Sequence, residues 1–512
     1  MRTKRSIMNI ICALFQNILS ILIGFIVQKI FINSFGTEYL GLNGLLGNII
    51  SMLCVTELGL GSAIIYNLYK PIEKKDKKTI RTLMNLYKRA YQVIALCVLI
   101  IGIMIMPFID DLVGKTSIKD NISMIYLLFL FEVVISYLTS YKRSLLEADQ
   151  KNFIINLVHV FYLIIYNTLS ILLILFIKNY YIYIGLRIIS KLIENTVLNI
   201  IVNKKYSYIN EKTNDKLKKE IKQDIIKRLK AIAFHKLGGF IVFGTDNILI
   251  TKMFGIISTG LLSNYNMIIV AVQNLSNQII QPITASVGNL LVAEKREKHF
   301  EVYKKIRLIN VWVSIYCATS ILVVMESFIN LWIGKEYLLS YSVLLILVIN
   351  YYMNSTRNVF NVFKDAAGIC YEDRFIPLLE SAVNLIFSIV FGLLFGLTGI
   401  FLGTLLSHLI LHLYSYPKYV YTKLFNKNKK DYFKEFFVYL FIFLISLLIT
   451  STIAKLFVFD NGLMNVFKNI IISLIIPNVI MIVCFYNTDE FKFILYILEK
   501  FKNKLTGGKE YV

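Results

Sequence analysis

The chain has 512 residues, 57% of them hydrophobic, with a mean hydropathy of +0.65 and a formal net charge of +23. Soluble domains rarely exceed about half apolar, so this composition excludes an ordinary string of soluble domains. The positive charge sits in short loops between apolar runs, which speaks for membrane topology and against nucleic-acid binding.

Taken from the N-terminus, Leu/Ile/Phe-rich runs of helical spacing predict membrane-spanning helices over 7–32, 42–69, 83–109, 122–141, 153–177 and 180–202. The opening MRTKRSIMNIICALF looks like a secretory leader. Its apolar run continues to about Ile32 with no small-residue cleavage site, so it is read as an uncleaved first helix. Asn203 to Lys230 then forms the longest stretch without a sustained apolar run, and it holds ten basic residues. Within it Ile221, Ile225 and Leu229 recur at helical spacing, which predicts an amphipathic helix lying on the inner leaflet. Six further spans follow at 231–253, 258–282, 308–333, 338–362, 375–396 and 398–417, and two more at 434–457 and 463–486. The reading is an all-α polytopic membrane protein of about 14 transmembrane helices. Residues 1–202 form a six-helix lobe, 203–230 a basic cytoplasmic crossover, and 231–417 a second six-helix lobe. Residues 434–487 hold helices thirteen and fourteen, and 488–512 a basic cytoplasmic tail.

Loop charge sets the orientation. The connections 70–82, 294–307 and 418–434 each carry six Lys or Arg, whereas 34–41, 397–398 and 459–462 carry none. The connection 110–121 has only Lys115 and Lys119. Cytoplasmic loops are enriched in Lys and Arg, so both termini and the crossover face the cytoplasm. An internal repeat agrees. Phe35-Gly36-Thr37-Glu38-Tyr39-Leu40-Gly41-Leu42 and Phe254-Gly255-Ile256-Ile257-Ser258-Thr259-Gly260-Leu261 both fit F-G-x-x-x-x-G-L on an outer hairpin. Six helices separate the copies, so the lobes form a parallel repeat.

Ionisable groups at membrane depth cost several kcal/mol unless they face a partner or a wet cavity, so their positions carry information. Helix two has Glu57, helix four Glu132, and helix six Arg187, Lys191 and Glu194 on one face. Helix seven carries His235, Lys236 and Asp246, helix nine Glu326, helix ten Arg357, helix eleven Glu380, and helix twelve His408 and His412. Helices eight and ten bear polar stripes that include Asn266, Gln273, Asn277, Asn350 and Asn354, read as lining a cavity or joining helices. After Lys434 and Glu435, helices thirteen and fourteen carry only the terminal Lys455 and Lys468, so they are read as packing outside that cavity or forming a lipid-facing groove. The i, i+4 pair His408 and His412 lacks an obvious third ligand, and no metal site is assigned. The six scattered cysteines read as small hydrophobes. With no phosphate-binding loop, no G-x-S-x-G, no H-E-x-x-H and no soluble domain large enough for a catalytic core, the chain is read as a non-enzyme without cofactors.

Several stretches resemble the Wzx-like polysaccharide flippases, Gram-positive type, of the multidrug/oligosaccharidyl-lipid/polysaccharide exporter superfamily. They are Gly36 to Gly44 (GTEYLGLNG), Glu57 to Ile64 (ELGLGSAI), Leu68 to Pro71 (LYKP), Asp246 to Ile250 (DNILI), Ile283 to Asn289 (ITASVGN) and Lys364 to Gly368 (KDAAG). The resemblance runs from about residue 20 to 420 and implies a two-lobed exporter fold, like that of the multidrug exporters, working by alternating access in the bacterial cytoplasmic membrane. Its implied cargo is an undecaprenyl-pyrophosphate-linked oligosaccharide for capsule or another surface polysaccharide, with a polymerase and glycosyltransferases as partners. On that basis Arg187, Lys191 and Arg357 are candidate headgroup cations. Glu57, Asp246 and Glu194 are candidates for gating or for coupling to Na+ or H+. The alternative is a cation-coupled antiporter for small organic cations on the same fold.

The topology has a direct test. On a cysteine-free background, Asp76→Cys is expected to react with an impermeant maleimide only from the cytoplasmic side, and Ser117→Cys only from outside.

Overall fold

The structure is a computed structural model that describes residues 2–54, 57, 60–211, 223, 225, 244–369 and 372–505. Ile221, Leu229, His235, Lys236 and Cys370 lie outside the described residues. The described chain is helical throughout, in line with the all-α reading, and divides into two compact units, Met1–Ser263 and Asn264–Val512.

In the first unit the helices are α1 (Arg2–Phe35), α2 (Thr37–Cys54), α3 (Leu60–Glu73), α4 (Lys77–Ile105), α5 (Ile122–Ser140), α6 (Arg143–Ala148), α7 (Asn152–Phe176), α8 (Tyr180–Lys205) and α9 (Asp246–Phe254). Next comes α10 (Ile256–Ile280), whose first turns belong to this unit, followed by α11 (Thr284–Ala293), α12 (Arg296–Trp332), α13 (Tyr341–Ser355) and α14 (Arg357–Ala367). The chain ends with α15 (Ile376–Phe395), α16 (Leu397–Ile410), α17 (Lys429–Leu456), α18 (Gly462–Phe485) and α19 (Asp489–Leu505). Helix α16 continues as a π-helical stretch, Leu411–Leu424.

Among the described residues, ten helices are long and apolar enough to cross a membrane. They coincide with predicted spans one, three, four, five, eight, nine and eleven to fourteen. The remaining four spans escape that description for separate physical reasons. Span six is α8, whose ionic residues Arg187, Lys191 and Glu194 lower its hydropathy. Most of span seven lies outside the described residues. Spans two and ten, predicted as single helices over 42–69 and 338–362, are each divided: α2 ends at Cys54 and α3 starts at Leu60, and Thr356 separates α13 from α14. Spans four and eight are likewise followed by short second segments, α6 and α11. Before α11 stands Gln281-Pro282-Ile283, where the proline removes a backbone donor.

These breaks reveal the repeat more fully than the sequence motif does. In the first copy the short segments α3 and α6 pack together; in the second copy their counterparts α11 and α14 do the same. The motif itself recurs in geometry. Gly36 and Gly255 each make a one-residue turn between two helices, at φ 84° and 83°, a left-handed conformation open to glycine. The second glycines of the motif, Gly41 and Gly260, lie against each other where α2 crosses α10. A Cβ on Gly41 would stand 2.1 Å from the Ile256 carbonyl oxygen, and one on Gly260 would stand 2.3 Å from the Thr37 carbonyl oxygen. Small residues at a helix crossing let backbones approach closely in a membrane.

Gly41→Ala and Gly260→Ala are therefore expected to lower stability by about 1–3 kcal/mol, since the added methyl meets rigid backbone. Gly47→Ala, where nothing lies within 4 Å of the new Cβ, is expected to be neutral or slightly stabilising. Thermal unfolding of the purified protein in detergent compares the three.

Candidate functional site

In the first unit α3, α4, α5, α6 and α8 enclose a polar cavity of about 370 Å³. Glu57, Tyr87, Tyr91, Arg143, Lys191 and Asn195 line it. Two residues chosen from sequence, Glu57 and Lys191, thus share one cavity. The Glu57 carboxylate accepts from the Tyr91 hydroxyl at 2.8 Å, and the Tyr87 hydroxyl donates to that of Tyr91 at 3.0 Å. Gly61 makes room for this arrangement: a Cβ there would stand 2.9 Å from a Glu57 carboxylate oxygen and 3.0 Å from the Tyr87 hydroxyl. The tyrosines lie four residues apart on α4, so helical spacing alone sets both hydroxyls on one face.

Beside the cavity, α8 presents its charged face. Lys191 reaches Glu194 at 2.5 Å, and the second carboxylate oxygen of Glu194 meets His159 Nδ1 of α7 at 2.8 Å. The Glu194 side chain is fully buried, and both oxygens are bonded. One turn before Lys191 on the same helix, Arg187 has a partner of its own. It pairs with Glu132 of α5 at 2.6 Å and stacks its guanidinium over the Phe129 ring at 4.1 Å. Sequence reasoning counted two cations against one carboxylate on this face. Glu132 supplies a second carboxylate and removes the surplus. Glu132 was visible as a membrane charge, but its partner was not, because the two residues are 55 positions apart in sequence and meet only in the fold. His159 was missed altogether, since a lone histidine in an apolar run gives no periodic signal. Asp246, the remaining carboxylate chosen from sequence, opens α9 and is half-buried.

The second unit gathers the rest. On α10 Gln273 donates to the Asn277 side-chain oxygen at 2.9 Å, and Asn358 of α14 donates to the same oxygen at 2.8 Å. Asn350 donates to the Phe401 carbonyl at 2.8 Å and so ties α13 to α16. Asn266 and Asn354 are half-buried. Arg357 is paired: its guanidinium holds Glu380 of α15 at 2.8 Å and approaches His408 Nδ1 of α16 at 3.1 Å. One turn on, His412 contacts the Tyr432 hydroxyl at 3.1 Å and the Met353 carbonyl at 3.2 Å, so the two histidines serve different partners.

Arg307 departs from the sequence reading. Counted there with a basic loop, it lies inside α12, only 4% exposed. Rings of Phe360, Tyr421, Tyr432 and Tyr439 surround its guanidinium at 4.9 to 6.0 Å, and Glu435 lies at 3.5 Å. Such an aromatic cage substitutes for hydration of the cation. The signal available in sequence was the cluster of tyrosines at 416–439. Helices α17 and α18 pack on α12. With it they enclose a polar cavity of about 280 Å³ that includes Glu326, Lys455 and Lys468. A separate apolar groove of about 580 Å³ runs between α10, α12 and α18.

Long apolar helices, broken second and fourth spans in each repeat, and charges paired at membrane depth define a multi-pass membrane protein of the transporter kind. The chain belongs to the polysaccharide biosynthesis protein family, whose profile matches residues 6–287. This bears out the resemblance drawn from its motifs. Among solved structures it is similar to the lipid II flippase MurJ in an inward closed conformation, at 16% identity and a TM-score of 0.67, covering 94% of this chain and 99% of that one. It is also similar to an inward-facing multidrug resistance MATE family transporter of the MOP superfamily, at 14% identity and a TM-score of 0.57, covering 77% and 91%. A mutant form of the Vibrio cholerae MATE transporter VcmN matches at 17% identity and a TM-score of 0.52, covering 80% and 95%. At these identities the likeness is one of fold. No curated protein matches the chain by sequence.

The Arg187–Glu132 pair has a measurable signature. Glu132→Gln leaves the guanidinium without its carboxylate and is expected to cost about 3–5 kcal/mol, whereas the double replacement Arg187→Met with Glu132→Leu is expected to recover most of it. Thermal unfolding of the three proteins reads the difference.

Proposed function

We propose that the protein turns a polyprenyl-pyrophosphate-linked oligosaccharide from the inner to the outer leaflet by alternating access. The observation that carries this reading is the cavity of about 370 Å³ that places Lys191 and Arg143 beside Glu57 within a polysaccharide-biosynthesis family member. Pyrophosphate is an anion that Lys and Arg bind through charge-assisted hydrogen bonds, without covalent chemistry. Asn195 and the Tyr87 and Tyr91 hydroxyls are suited to sugar hydroxyls. A cavity of this size suits the pyrophosphate and the first sugar. The polyprenyl tail stays with apolar surface, and no energy-supplying motif is required if the glycan is consumed on the far side.

Arg187 and Arg357 enter this reading differently from Lys191. Each is neutralised by a carboxylate on a neighbouring helix, so each holds helices together in the resting state and meets cargo only when its pair opens. Glu57 and Glu194 set the local charge: one accepts from tyrosine, the other from lysine and histidine. The fuller coverage of the lipid II flippase fold, 94% of this chain against 77% for the multidrug transporter, supports a lipid-linked cargo over a small organic cation.

The test is a proteoliposome assay. Lipid-linked oligosaccharide is loaded inside, and its appearance to an added glycosidase is timed. Replacing Lys191 and Glu194 together by Gln removes one cation and one carboxylate, so the buried charge stays balanced. The variant is expected to fold and to lose turnover about tenfold or more, the loss of one charge-assisted contact of about 1.5–3 kcal/mol. An unchanged rate would remove Lys191 from the site.

A further inference from the structure

The two units hold matching ionic clusters, and the match is inexact in an informative way. Each contains a cation, a buried carboxylate and a histidine: Lys191, Glu194 and His159 in the first unit, Arg357, Glu380 and His408 in the second. In the first, the carboxylate separates the other two. Lysine takes one oxygen and the histidine ring takes the other, so nothing competes. In the second, all three converge on one atom. His408 Nδ1 stands 3.1 Å from Arg357 Nη1 and 3.1 Å from Glu380 Oε1, while Arg357 Nη1 stands 2.8 Å from that same Oε1.

One ring nitrogen cannot accept and donate at once. When Nδ1 carries a lone pair, it accepts from the Arg357 guanidinium, whose second N–H serves Glu380. When the ring takes up a second proton, so that both nitrogens are N–H, Nδ1 donates to Glu380 and the positive ring faces the guanidinium. The cluster then holds two cations against one carboxylate. It has little water to screen them, since Glu380 and His408 are 3% and 1% exposed. Among the described residues, the charged groups in contact with His408 include Arg357 from α14 and Glu380 from α15; His412 lies one turn along its own helix, and Tyr416 stacks on Phe360 close by.

Arg357 is also the first residue of α14, directly after the break at Thr356. Its neighbour Asn358 ties α14 to α10 through Asn277. The ion pair with Glu380 therefore anchors the head of α14. We propose that His408 is a proton-binding site whose protonation displaces Arg357 from Glu380 and frees the short helix Arg357–Ala367 at the break in the tenth span. Proton binding thereby becomes a conformational step of transport. The role in transport rests on the flippase reading; the proton-controlled hinge does not.

The experiment uses the full chain in lipid nanodiscs without substrate. Amide hydrogen exchange over 357–367, corrected for intrinsic rates, is compared at about pH 8 and about pH 5, either side of the usual histidine range. In the wild type, exchange is expected to rise about tenfold or more at the lower pH, the equivalent of one pKa unit of linkage, while 341–355 changes little. His408→Gln, which keeps a neutral hydrogen-bonding side chain, is expected to hold the slow rate at both values. Glu380→Gln, which removes the anchor, is expected to be fast at both. Equal pH responses in wild type and His408→Gln, or none in wild type, would overturn the proposal; should His408→Gln unfold, His408→Asn replaces it. Turnover in the proteoliposome assay then separates the two ideas. A pH-controlled hinge in a protein that moves no lipid-linked glycan would leave this site standing and sink the flippase reading.

Discussion

Inside a bilayer an ionisable side chain must meet a partner or a wet cavity, and this requirement organises the structure more than any apolar contact does. Glu132 finds Arg187, Glu194 finds Lys191 and His159, Glu380 finds Arg357 and His408, and Arg307 finds Glu435 among aromatic rings. Each of the first three sets draws on more than one helix, so it fixes which helices are neighbours. Leu and Ile are as content against lipid as against each other and specify little. Buried ion pairs add modest net stability, yet losing one member strands a charge, so they select one packing over its alternatives.

The glycines supply what the charges do not. Charged groups hold helices at side-chain distance, whereas Gly41 and Gly260 bring two backbones into contact. The same short motif thus does two jobs in each copy. Its first glycine turns the chain between helices, and its second lets α2 and α10 cross closely. A duplicated sequence whose two copies touch at the duplicated residue is held to its pattern on both sides at once.

Much of this was legible in the sequence. Hydropathy located the spans because each needs about 20 apolar residues, and the F-G-x-x-x-x-G-L copies exposed the repeat. Helix breaks were not legible. Around Glu57 and Thr356 the run stays apolar enough to read as one helix, and a break there costs nothing that composition records. Partnerships across helices were also hidden. Nothing in the numbering of Arg187 points to Glu132, or of Arg307 to Tyr421 and Tyr432. Arg307 was the more instructive error: loop charge is a good guide to sidedness, but α12 extends past the predicted boundary and takes its arginine into a cage of rings. His159 carried no signal because a histidine in an apolar run is chemically neutral until a carboxylate is placed beside it. His408 was visible as a membrane histidine spaced from His412, yet its partners Glu380 and Arg357 come from other helices.

The broken spans and the ionic clusters belong together. In each copy the short segments, α3 with α6 and α11 with α14, pack on one another, and an ionisable residue stands at a break within each pair: Glu57 ahead of α3, Arg357 at the head of α14. A continuous helix transmits force along its length; an interrupted one lets its end move while the rest stays packed. Setting an ionic contact at the interruption ties the short segment to its neighbours through charge. Glu57 is held by a tyrosine hydroxyl beside the first cavity, where an anionic headgroup would alter its surroundings. Arg357 is held by a buried carboxylate that a proton on His408 would contest. The two copies thus tether different interruptions: the second span of the first copy through a carboxylate and a tyrosine hydroxyl, and the fourth span of the second copy through an ion pair.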